Sequence, residues 1–422
     1  MKKNILIVLF ILIGMNVMAQ NVYDGKREAI RKGSGTESDP FLIENAQNLA
    51  WLQYMINADY SHETSGKYYL LTTDIDLNGS EYFQWEPIGK SSGRLNFDNQ
   101  KLMFKGIFDG DYHKITNLYI DNINGHSSFF EDISGVVKNL YIEGYVNGNN
   151  AAGLVEFLED KDAKIEMCVV NVEVEGVNVA GVVNTINNGI VSKTANIGNT
   201  NGDNAAGIAY YSQGNINNCY NTGTVETVNS DGYAGGIATN LLKSSSVISN
   251  SYNIGEIISI NETHSGGIAG RSGNGVTIDN CYYLNTCINN SNEYGTAMTA
   301  YDMRKIEFVN ILNKDGIIWA MDTENVNDGY PIINGSNFIS VKENQIENET
   351  VIYPNPATEY VCFSEEITSC DIFDLVGNKI FSSHNNSSEP NRINVSNWNT
   401  GIYFVKIKTK NGINVINKLV VQ

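Results

Sequence analysis

One five-residue pattern recurs seven times along the chain, as Ile115-Thr-Asn-Leu-Tyr119, Val137-Lys-Asn-Leu-Tyr141, Ile165-Glu-Met-Cys-Val169, Val191-Ser-Lys-Thr-Ala195, Ile216-Asn-Asn-Cys-Tyr220, Ile248-Ser-Asn-Ser-Tyr252 and Ile278-Asp-Asn-Cys-Tyr282. The first position is always Ile or Val, the third is Asn in five segments, and the fifth is Tyr in five. A pair of small residues falls between successive segments, at 152–153, 180–181, 206–207, 235–236 and 266–267.

A repeat of roughly 22–32 residues with two short strand signals is typical of a solenoid. We predict an all-β fold, a right-handed parallel β-solenoid with short helical caps, in which coils stack about 4.8 Å apart. The first column of the pattern would point inward. The third-column Asn would occupy a left-handed corner and bond the Asn of the next coil. The Gly residues would lie where a Cβ would collide.

The repeats resemble those of GLUG-motif surface proteins, which are named for a Gly-Leu-x-Gly core. The lead-in from Lys105 to Leu118 is similar to the first coil of that family, and Gly267-Ile-Ala-Gly270 keeps the closing Gly. The resemblance covers roughly residues 33–335 and implies a secreted or cell-surface protein, without one agreed activity. Four other repeats replace the closing Gly by Glu156, Asn184, Tyr210 and Thr239.

Residues 1–19 have the features of a secretory signal peptide. Lys2 and Lys3 precede an apolar run, and small residues end at Ala19. The run is too short to span a bilayer, and no later apolar segment is long enough, so we predict no transmembrane segment in the mature chain.

The rest of the chain divides into five parts. We predict an N-terminal cap and first coils at 20–114, the repeats at 115–290, a C-terminal cap with a short helix at 291–340, a polar linker at 341–350, and a terminal domain at 351–422.

Both caps contain a predicted helix. Asn45 is a candidate N-cap for a helix that would cover the first coil and protect its open edge. Thr299 is a candidate N-cap for a second helix, which would lie over the last coil. The inward residues of that second helix would be Met303, Ile306, Val309 and Leu312.

The terminal domain contains short alternating strands that predict a small antiparallel β-sandwich. Its ordered motifs include Tyr353, Pro354, Asn355, Pro356, Gly377, Gly401, Tyr403, Lys406 and Lys418. These motifs closely resemble the type IX secretion sorting domain of Bacteroidota. The resemblance implies passage across the outer membrane through the type IX machinery, followed by attachment to surface lipopolysaccharide or release.

The net charge of -19, from 28 basic and 47 acidic residues, argues against a nucleic-acid partner.

Asp74, Asp76 and Asn78 match half of a calcium loop, but its twelfth position is Trp85 rather than an acid. We therefore predict no metal and no cofactor.

Six cysteines are present. Cys168, Cys219 and Cys281 share one inward column, where coil spacing keeps the first two too far apart for a disulfide. Cys362 and Cys370 flank a plausible hairpin and would be able to pair in an oxidising compartment.

We find no catalytic motif, and so we predict no catalytic residue. A hydrolase of the β-helix class would need a pair of carboxylates, and a lyase would add an Arg or Lys on the same outer face. The arginines of the solenoid and its caps, Arg94, Arg271 and Arg304, lie far apart in sequence. The candidate carboxylates are Glu143, Glu173, Glu226 and Glu256.

The Tyr column suggests a different function, because stacked aromatic rings suit sugar rings if they face solvent. The alternative, which we favour, is a purely structural aromatic ladder. Insertions at 226–233 and 257–265 would lie on one corner of neighbouring coils and are further candidates for partner contact. The candidate ligand-binding residues are Tyr119, Tyr141, Tyr220, Tyr252 and Tyr282.

The sequence therefore predicts an exported surface protein that is adhesin-like or glycan-contacting, with glycans or the surface of a host or neighbouring cell as its candidate partners. A carbohydrate-active enzyme, either a polysaccharide lyase or a glycoside hydrolase, is the alternative. A passive surface element is a third possibility.

Overall fold

A computed structural model describes residues 21–60, 64–89, 102–289 and 292–335, and then 352–353, 355–363, 367–374, 378–384, 392–409 and 414–422. The predicted signal peptide at 1–19, the linker at 341–350, Pro354 and Gly377 lie outside the described residues. The chain divides into two compact units at residue 339, and each unit is described by itself.

The first unit is a parallel β-solenoid of about eight turns, built from three sheets that run along its length. Sheet 1 contains Phe41–Ile43, Tyr68–Leu71, Ile107–Asp109, Val136–Lys138, Lys164–Glu166, Ile190–Ser192, Asn215–Asn217, Val247–Ser249 and Thr277–Asp279. Sheet 2 contains Ile75–Asp76, Lys114–Ser127, Tyr141–Ala152, Val169–Ala180, Ala195–Asn196, Thr200–Ala206, Tyr220–Asn221, Val225–Thr227, Ala234–Gly235, Tyr252–Asn253, Ile257–Ser259, Ser265–Gly266, Tyr282–Leu284 and Thr296–Met298. Sheet 3 contains Phe130–Ile133, Val155–Leu158, Val183–Ile186, Ala209–Ser212, Ala238–Leu241 and Ala269–Ser272.

The first column of the repeat is the inward file of sheet 1. Ile165 pairs in parallel with Val137 on one side and with Val191 on the other, and Val191 pairs in turn with Ile216. These four side chains are fully buried. The predicted vertical register is therefore confirmed.

The alignment is wrong for the segment that begins at Ile115. Ile115 pairs with Ile75 and Ile142 in sheet 2, and Phe108 occupies the inward file of sheet 1 beside Val137. In this coil the left-handed corner falls at Asp111 and Tyr112. Ile115 consequently lies one strand further along the coil than its sequence pattern suggests.

The third column forms the corner between sheets 1 and 2. Asn139, Asn218, Asn250 and Asn280 have φ between 47° and 53°, which confirms the left-handed corner. Of these four corner side chains, only Asn280 donates its amide to the Asn of the neighbouring coil, at 2.7 Å from Asn250. Met167 and Lys193 occupy the same corner at φ 55° and 49°.

The fourth column carries small side chains that bond to the corner backbone. The Thr194 and Ser251 hydroxyls donate to the carbonyls two residues earlier, at 2.9 and 2.8 Å. The thiols of Cys168 and Cys219 donate to the equivalent carbonyls at 3.4 and 3.3 Å. Thiol and hydroxyl thus occupy the same cramped interior position, as the column predicts.

The second Gly of each small-residue pair allows the closest approach between coils. A Cβ built on Gly181 would lie 2.3 Å from the Gly207 carbonyl oxygen, and one on Gly207 would lie 2.2 Å from that of Gly236. Neither distance is compatible with a side chain. The predicted role of these glycines is confirmed.

A buried Asn ladder lies beside this Gly file and was not predicted. The Asn196 amide donates to the Asn221 side-chain oxygen at 2.7 Å, and the Asn221 amide donates to Asn253 at 2.8 Å. All three side chains are fully buried. A Cβ on Gly181 would collide with Asn196, and a Cβ on Gly207 would collide with Asn221. The ladder therefore requires residues without a side chain at these two positions.

Helix α1, Ala46–Met55, covers the first coils. Its N-cap is Asn45, whose side chain accepts from the Asn48 backbone N–H at 2.8 Å. Leu49 and Leu52 are fully buried in the solenoid core. A π-helical turn, Ile56–Tyr60, follows.

The C-terminal cap contains two helices where one was expected, α2 (Ala300–Met303) and α3 (Ile306–Leu312). Thr299 caps α2 as predicted, by accepting from the Asp302 backbone N–H at 3.1 Å. Lys305 has extended backbone, with ψ 156°, and this break rotates Ile306 outward and Phe308 inward. A two-stranded antiparallel sheet, Trp319–Ala320 and Ile332–Ile333, completes the cap.

The second unit contains two antiparallel sheets around a shared apolar core, which confirms the predicted sandwich. One sheet contains Ile352–Tyr353, Tyr360–Phe363 and Arg392–Asn394. The other contains Ile367–Phe373, Lys379–His384, Gly401–Thr409 and Asn414–Val421.

Cys362 and Cys370, whose pairing the sequence left open, are not joined in the structure, where both are free thiols. Cys362 lies in the three-stranded sheet, between the inward Val361 and Phe363, and so points away from the core. Cys370 lies in the other sheet and is fully buried.

Replacing Lys193 by Asn tests the left-handed corner. A long side chain at positive φ costs about 1–2 kcal/mol, and Asn relieves much of this cost. We expect Lys193→Asn to raise the free energy of unfolding by about 0.5–1 kcal/mol, measured by denaturant unfolding. Lys164→Asn is the matched control, because Lys164 contacts the same Glu166 carboxylate from an extended strand. An equal gain in both variants would contradict the backbone explanation.

Candidate functional site

The predicted Tyr stripe is not one surface. Tyr119 lies outside the column, because it pairs with Tyr145 and stacks on that ring at 5.3 Å. Tyr141 is nearly buried, and its hydroxyl donates to the Glu143 carboxylate at 2.8 Å. Burial and this carboxylate both raise the pKa of Tyr141.

The C-terminal cap covers the remaining members of the column. The sequence predicted that the cap would lie over the last coil. In the structure it also packs against the outer face of sheet 2. Tyr252 is fully buried between the parallel Tyr220 ring at 5.3 Å and the cap residues Trp319 and Phe308, whose ring centroids lie at 5.4 and 5.9 Å. Tyr282 also meets Phe308 edge-on. These rings form a structural ladder.

The Tyr252 hydroxyl joins the solenoid to the cap by hydrogen bonds. It donates to the Pro331 carbonyl and accepts from the Asn327 amide at 2.8 Å. We expect Tyr252→Phe to lower the free energy of unfolding by about 1–2 kcal/mol, since it removes buried hydrogen bonds. Tyr220→Phe is the control, and we expect a change below about 0.5 kcal/mol. Equal losses in thermal unfolding of the two variants would contradict this role.

The four candidate carboxylates do not come together. On neighbouring strands, Glu143 lies opposite Asn171 and Glu173 lies opposite Tyr145, so the two carboxylates are offset by two residues along the strand direction. Glu226 pairs with Asn201 and with Ile258. Glu256 lies on the turn that precedes Ile257. They form no stacked stripe.

The half-matched calcium loop has its carboxylates committed to hydrogen bonds. Asp74 accepts from the Lys114 backbone N–H at 2.9 Å and contacts the His113 ring at 3.0 Å. Asp76 accepts from the Asn78 backbone and from the Asn117 amide. Within the described ranges, no cluster of His, Cys, Asp and Glu has the geometry of a metal site.

The outer edge where sheet 2 meets sheet 3 is a better candidate site, which we call the corner strip. It consists of three adjacent files that run along the solenoid axis. The sheet 2 file is His126, Asn150, Asn178, Asn204, Tyr233 and His264. The middle file is Glu131, Glu156, Asn184, Tyr210, Thr239 and Gly270. The sheet 3 file is Asp132, Phe157, Thr185, Tyr211, Asn240 and Arg271.

The sheet 2 file contains a second, half-buried amide ladder. Asn178 donates to Asn150 at 2.9 Å, and Asn204 donates to Asn178 at 2.9 Å. The Asn204 oxygen accepts from the Tyr233 backbone N–H at 3.0 Å. The ladder therefore holds the backbone of the next coil in place at Tyr233.

The middle file joins the two sheets through buried polar side chains. Asn184 donates to the Asn178 carbonyl at 2.7 Å, and Thr239 donates to the Ala205 carbonyl at 2.6 Å. Both side chains are almost fully buried. These two residues stand on the file that ends in Gly270, and their side chains tie the two sheets together at the corner.

At the carboxyl end of the strip, two insertions bring aromatic and cationic groups together. Tyr233 and His264 stack with centroids 4.3 Å apart and planes within 16°. The Arg271 guanidinium lies 4.5 Å from the Tyr233 ring centroid. The insertions also bond directly, through the Asn261 amide to the Ser230 carbonyl at 3.1 Å. The prediction that they share one corner is confirmed.

At the amino end, a half-exposed His126 contacts a buried carboxylate. Its Nδ1 lies 3.0 Å from a Glu156 oxygen, and Glu156 has no exposed side-chain area. Burial raises the Glu156 pKa to about 7, partly opposed by His126 and reinforced by Glu131 and Asp132. The Glu156 hydrogen bond raises the His126 pKa, against a lowering by burial.

Both pKa values lie above those of the unfolded chain, so the folded state binds protons more strongly and loses stability as pH rises. Most of the Glu156 loss falls between pH 4.5 and about 7. We expect Glu156→Gln to remove roughly 3 kcal/mol of this pH dependence, measured as the difference from wild type in denaturant unfolding across that window. Glu226→Gln, on the outer face of sheet 2, is the control. An unchanged profile in Glu156→Gln would contradict a buried titrating carboxyl.

The described architecture defines a class of protein, a β-solenoid followed by a separate antiparallel sandwich. Residues 351–422 match the family described as the secretion system C-terminal sorting domain. This domain marks proteins that the type IX system secretes to the cell surface or the extracellular space, and it implies contact with that machinery. No described helix is both long enough and apolar enough to span a membrane.

Two curated proteins are similar to part of the chain. Halomucin of Haloquadratum walsbyi is 33% identical over 131 residues, which are 30% of this chain and 1% of that protein. A protein of Evansella cellulosilytica, described as a Gly-rich membrane protein, is 30% identical over 132 residues, which are 29% of this chain and 13% of that one. The chain spans only a small part of either relative. A solved IgA1 protease aligns with 58% of this chain and 20% of its own, with TM-score 0.39 and 20% identity.

The described sorting-motif residues lie on strands of both sheets of the sandwich and on the turn that follows Tyr353. The Asn355 side chain accepts from the Val420 backbone N–H at 2.9 Å, and Pro356 follows it. Tyr403 is buried, and its hydroxyl donates to the Asn399 carbonyl at 2.7 Å. Gly401 begins the strand that holds Tyr403 and the exposed Lys406, and Lys418 lies on the paired strand. Tyr353 is half exposed.

Proposed function

We propose that the exported solenoid binds an extended glycan along the corner strip and acts as an adhesin-like surface protein. The observation that carries the proposal is the cluster of Tyr233, His264 and Arg271 at the end of an Asn ladder. Aromatic rings suit the apolar faces of sugars, and amides suit their hydroxyls. The half-buried aromatic rings of Tyr210 and Tyr211 add to this surface.

The length of the strip supports a polymeric ligand. His126 and His264 are separated by five rung spacings, or about 24 Å along the axis. The repeated amides present the same group on successive rungs, which suits a ligand that also repeats. Attachment to lipopolysaccharide after removal of residues 351–422 would display the strip at the cell surface, in keeping with the GLUG-like repeats.

A glycan array probed with the purified chain tests the proposal, followed by titration of the best ligand. We expect Tyr233→Ala to weaken binding about tenfold, or roughly 1.4 kcal/mol, because it removes the central ring of the cluster. Tyr301→Ala is the matched control, since Tyr301 is 75% exposed on α2 beside Lys305.

Two results would count against the proposal. An array without any bound glycan would favour a passive surface element. Equal losses of affinity in Tyr233→Ala and Tyr301→Ala, or no loss in either, would place the ligand away from the corner strip.

A carbohydrate-active enzyme is a second candidate, favoured by the contact of the half-exposed His126 with the buried Glu156 on the same strip. A positioned imidazole is a common acid–base group. Size analysis of the bound glycan before and after incubation distinguishes the two functions. Shortening that is lost in His126→Ala would support the enzyme, and an unchanged chain length would support binding.

A further inference from the structure

The carboxyl end of the corner strip differs from the rest because it carries a permanent positive charge. Arg271 is exposed at the end of the sheet 3 file, and it is the only Arg or Lys in the three files. No carboxylate of the described residues lies within ion-pair distance of it. In a chain with a net charge of -19, an uncompensated guanidinium on a candidate binding surface needs an explanation.

The Arg271 side chain is oriented rather than free. Its Nε donates to the Asn240 side-chain oxygen on the preceding rung, and Asn240 is almost fully buried. The guanidinium also lies over the Tyr233 ring, with its carbon 4.5 Å from the ring centroid. Because Nε is hydrogen-bonded and one face of the guanidinium lies on the Tyr233 ring, the terminal Nη groups remain for an external acceptor.

The surroundings of Arg271 match an anionic sugar. A fixed guanidinium binds carboxylate or sulfate oxygens through two parallel hydrogen bonds. The Tyr233 and His264 rings stack on each other beside it. Because His264 and the guanidinium cover the faces of Tyr233, that ring offers its edge, and the half-buried His264 adds further aromatic surface. Arg271 also acts on Tyr210, where it opposes the rise in pKa that burial causes, so the Tyr210 ring lies within the same field.

We infer that Arg271, Tyr233 and His264 form a subsite for an acidic sugar, whose carboxylate or sulfate pairs with the guanidinium while its ring packs against the exposed parts of the aromatic pair. The inference rests on the proposed glycan binding and names the class of glycan. General attraction does not account for such binding, because the acidic surface repels polyanions.

The test compares polygalacturonate, which carries carboxylates, chondroitin sulfate, which carries both groups, and neutral dextran as ligands of the purified chain. We expect at least tenfold tighter binding of one acidic polymer than of dextran. Arg271→Gln should abolish this preference, and Arg271→Lys should restore part of it, since an ammonium keeps the charge but not the paired geometry. Arg304→Gln is the matched control, because Arg304 lies 4.3 Å from the Tyr330 ring on the cap.

The outcomes separate this inference from the proposed function. Binding of dextran as tight as that of the acidic polymers would overturn the acidic subsite and leave glycan binding intact. A preference that survives in Arg271→Gln would also overturn it. Unfolding temperatures of all three Arg variants, measured in parallel, exclude loss of fold as the cause of any change.

Discussion

The contact between successive Gly residues along the solenoid is the constraint on which the rest of the structure depends. Carbonyl oxygens of one coil approach the Gly of the preceding coil so closely that a Cβ on that Gly would collide. The space beside them holds the Asn196, Asn221 and Asn253 side chains, buried and bonded to one another. A slip of one residue would place a Cβ against a carbonyl and leave buried amides unpaired, which is costly. The Gly file and the Asn ladder therefore fix the vertical register.

This register decides which chemical groups meet on the outer surface. Tyr233 and His264 are 31 positions apart, and they stack because each directly precedes a residue of the paired small-residue strands. The insertions before them change the length of the coil without changing the register. The solenoid can thus carry different side chains and loop lengths at this corner while its interior stays in register.

Sequence reasoning predicted the interior better than the surface, for a physical reason. The inward column and the left-handed Asn corner follow from local sterics, which one coil already determines. Whether a file faces solvent depends on distant residues, and Tyr252 is buried because Trp319 and Phe308 pack on it. The Asn ladder was missed although a signal exists, since Asn196, Asn221 and Asn253 are each followed two residues later by Gly. The break at Lys305 left no trace in the apolar spacing of the helix.

The buried thiols of the fourth column have a consequence for a protein exported to an oxidising exterior. Burial raises the pKa of Cys168, Cys219 and Cys281 to about 12, so the reactive thiolate is nearly absent at neutral pH. Oxidants reach the sulfur only if a coil opens. Once wound, the coils therefore keep their own sulfurs from mispairing outside the cell.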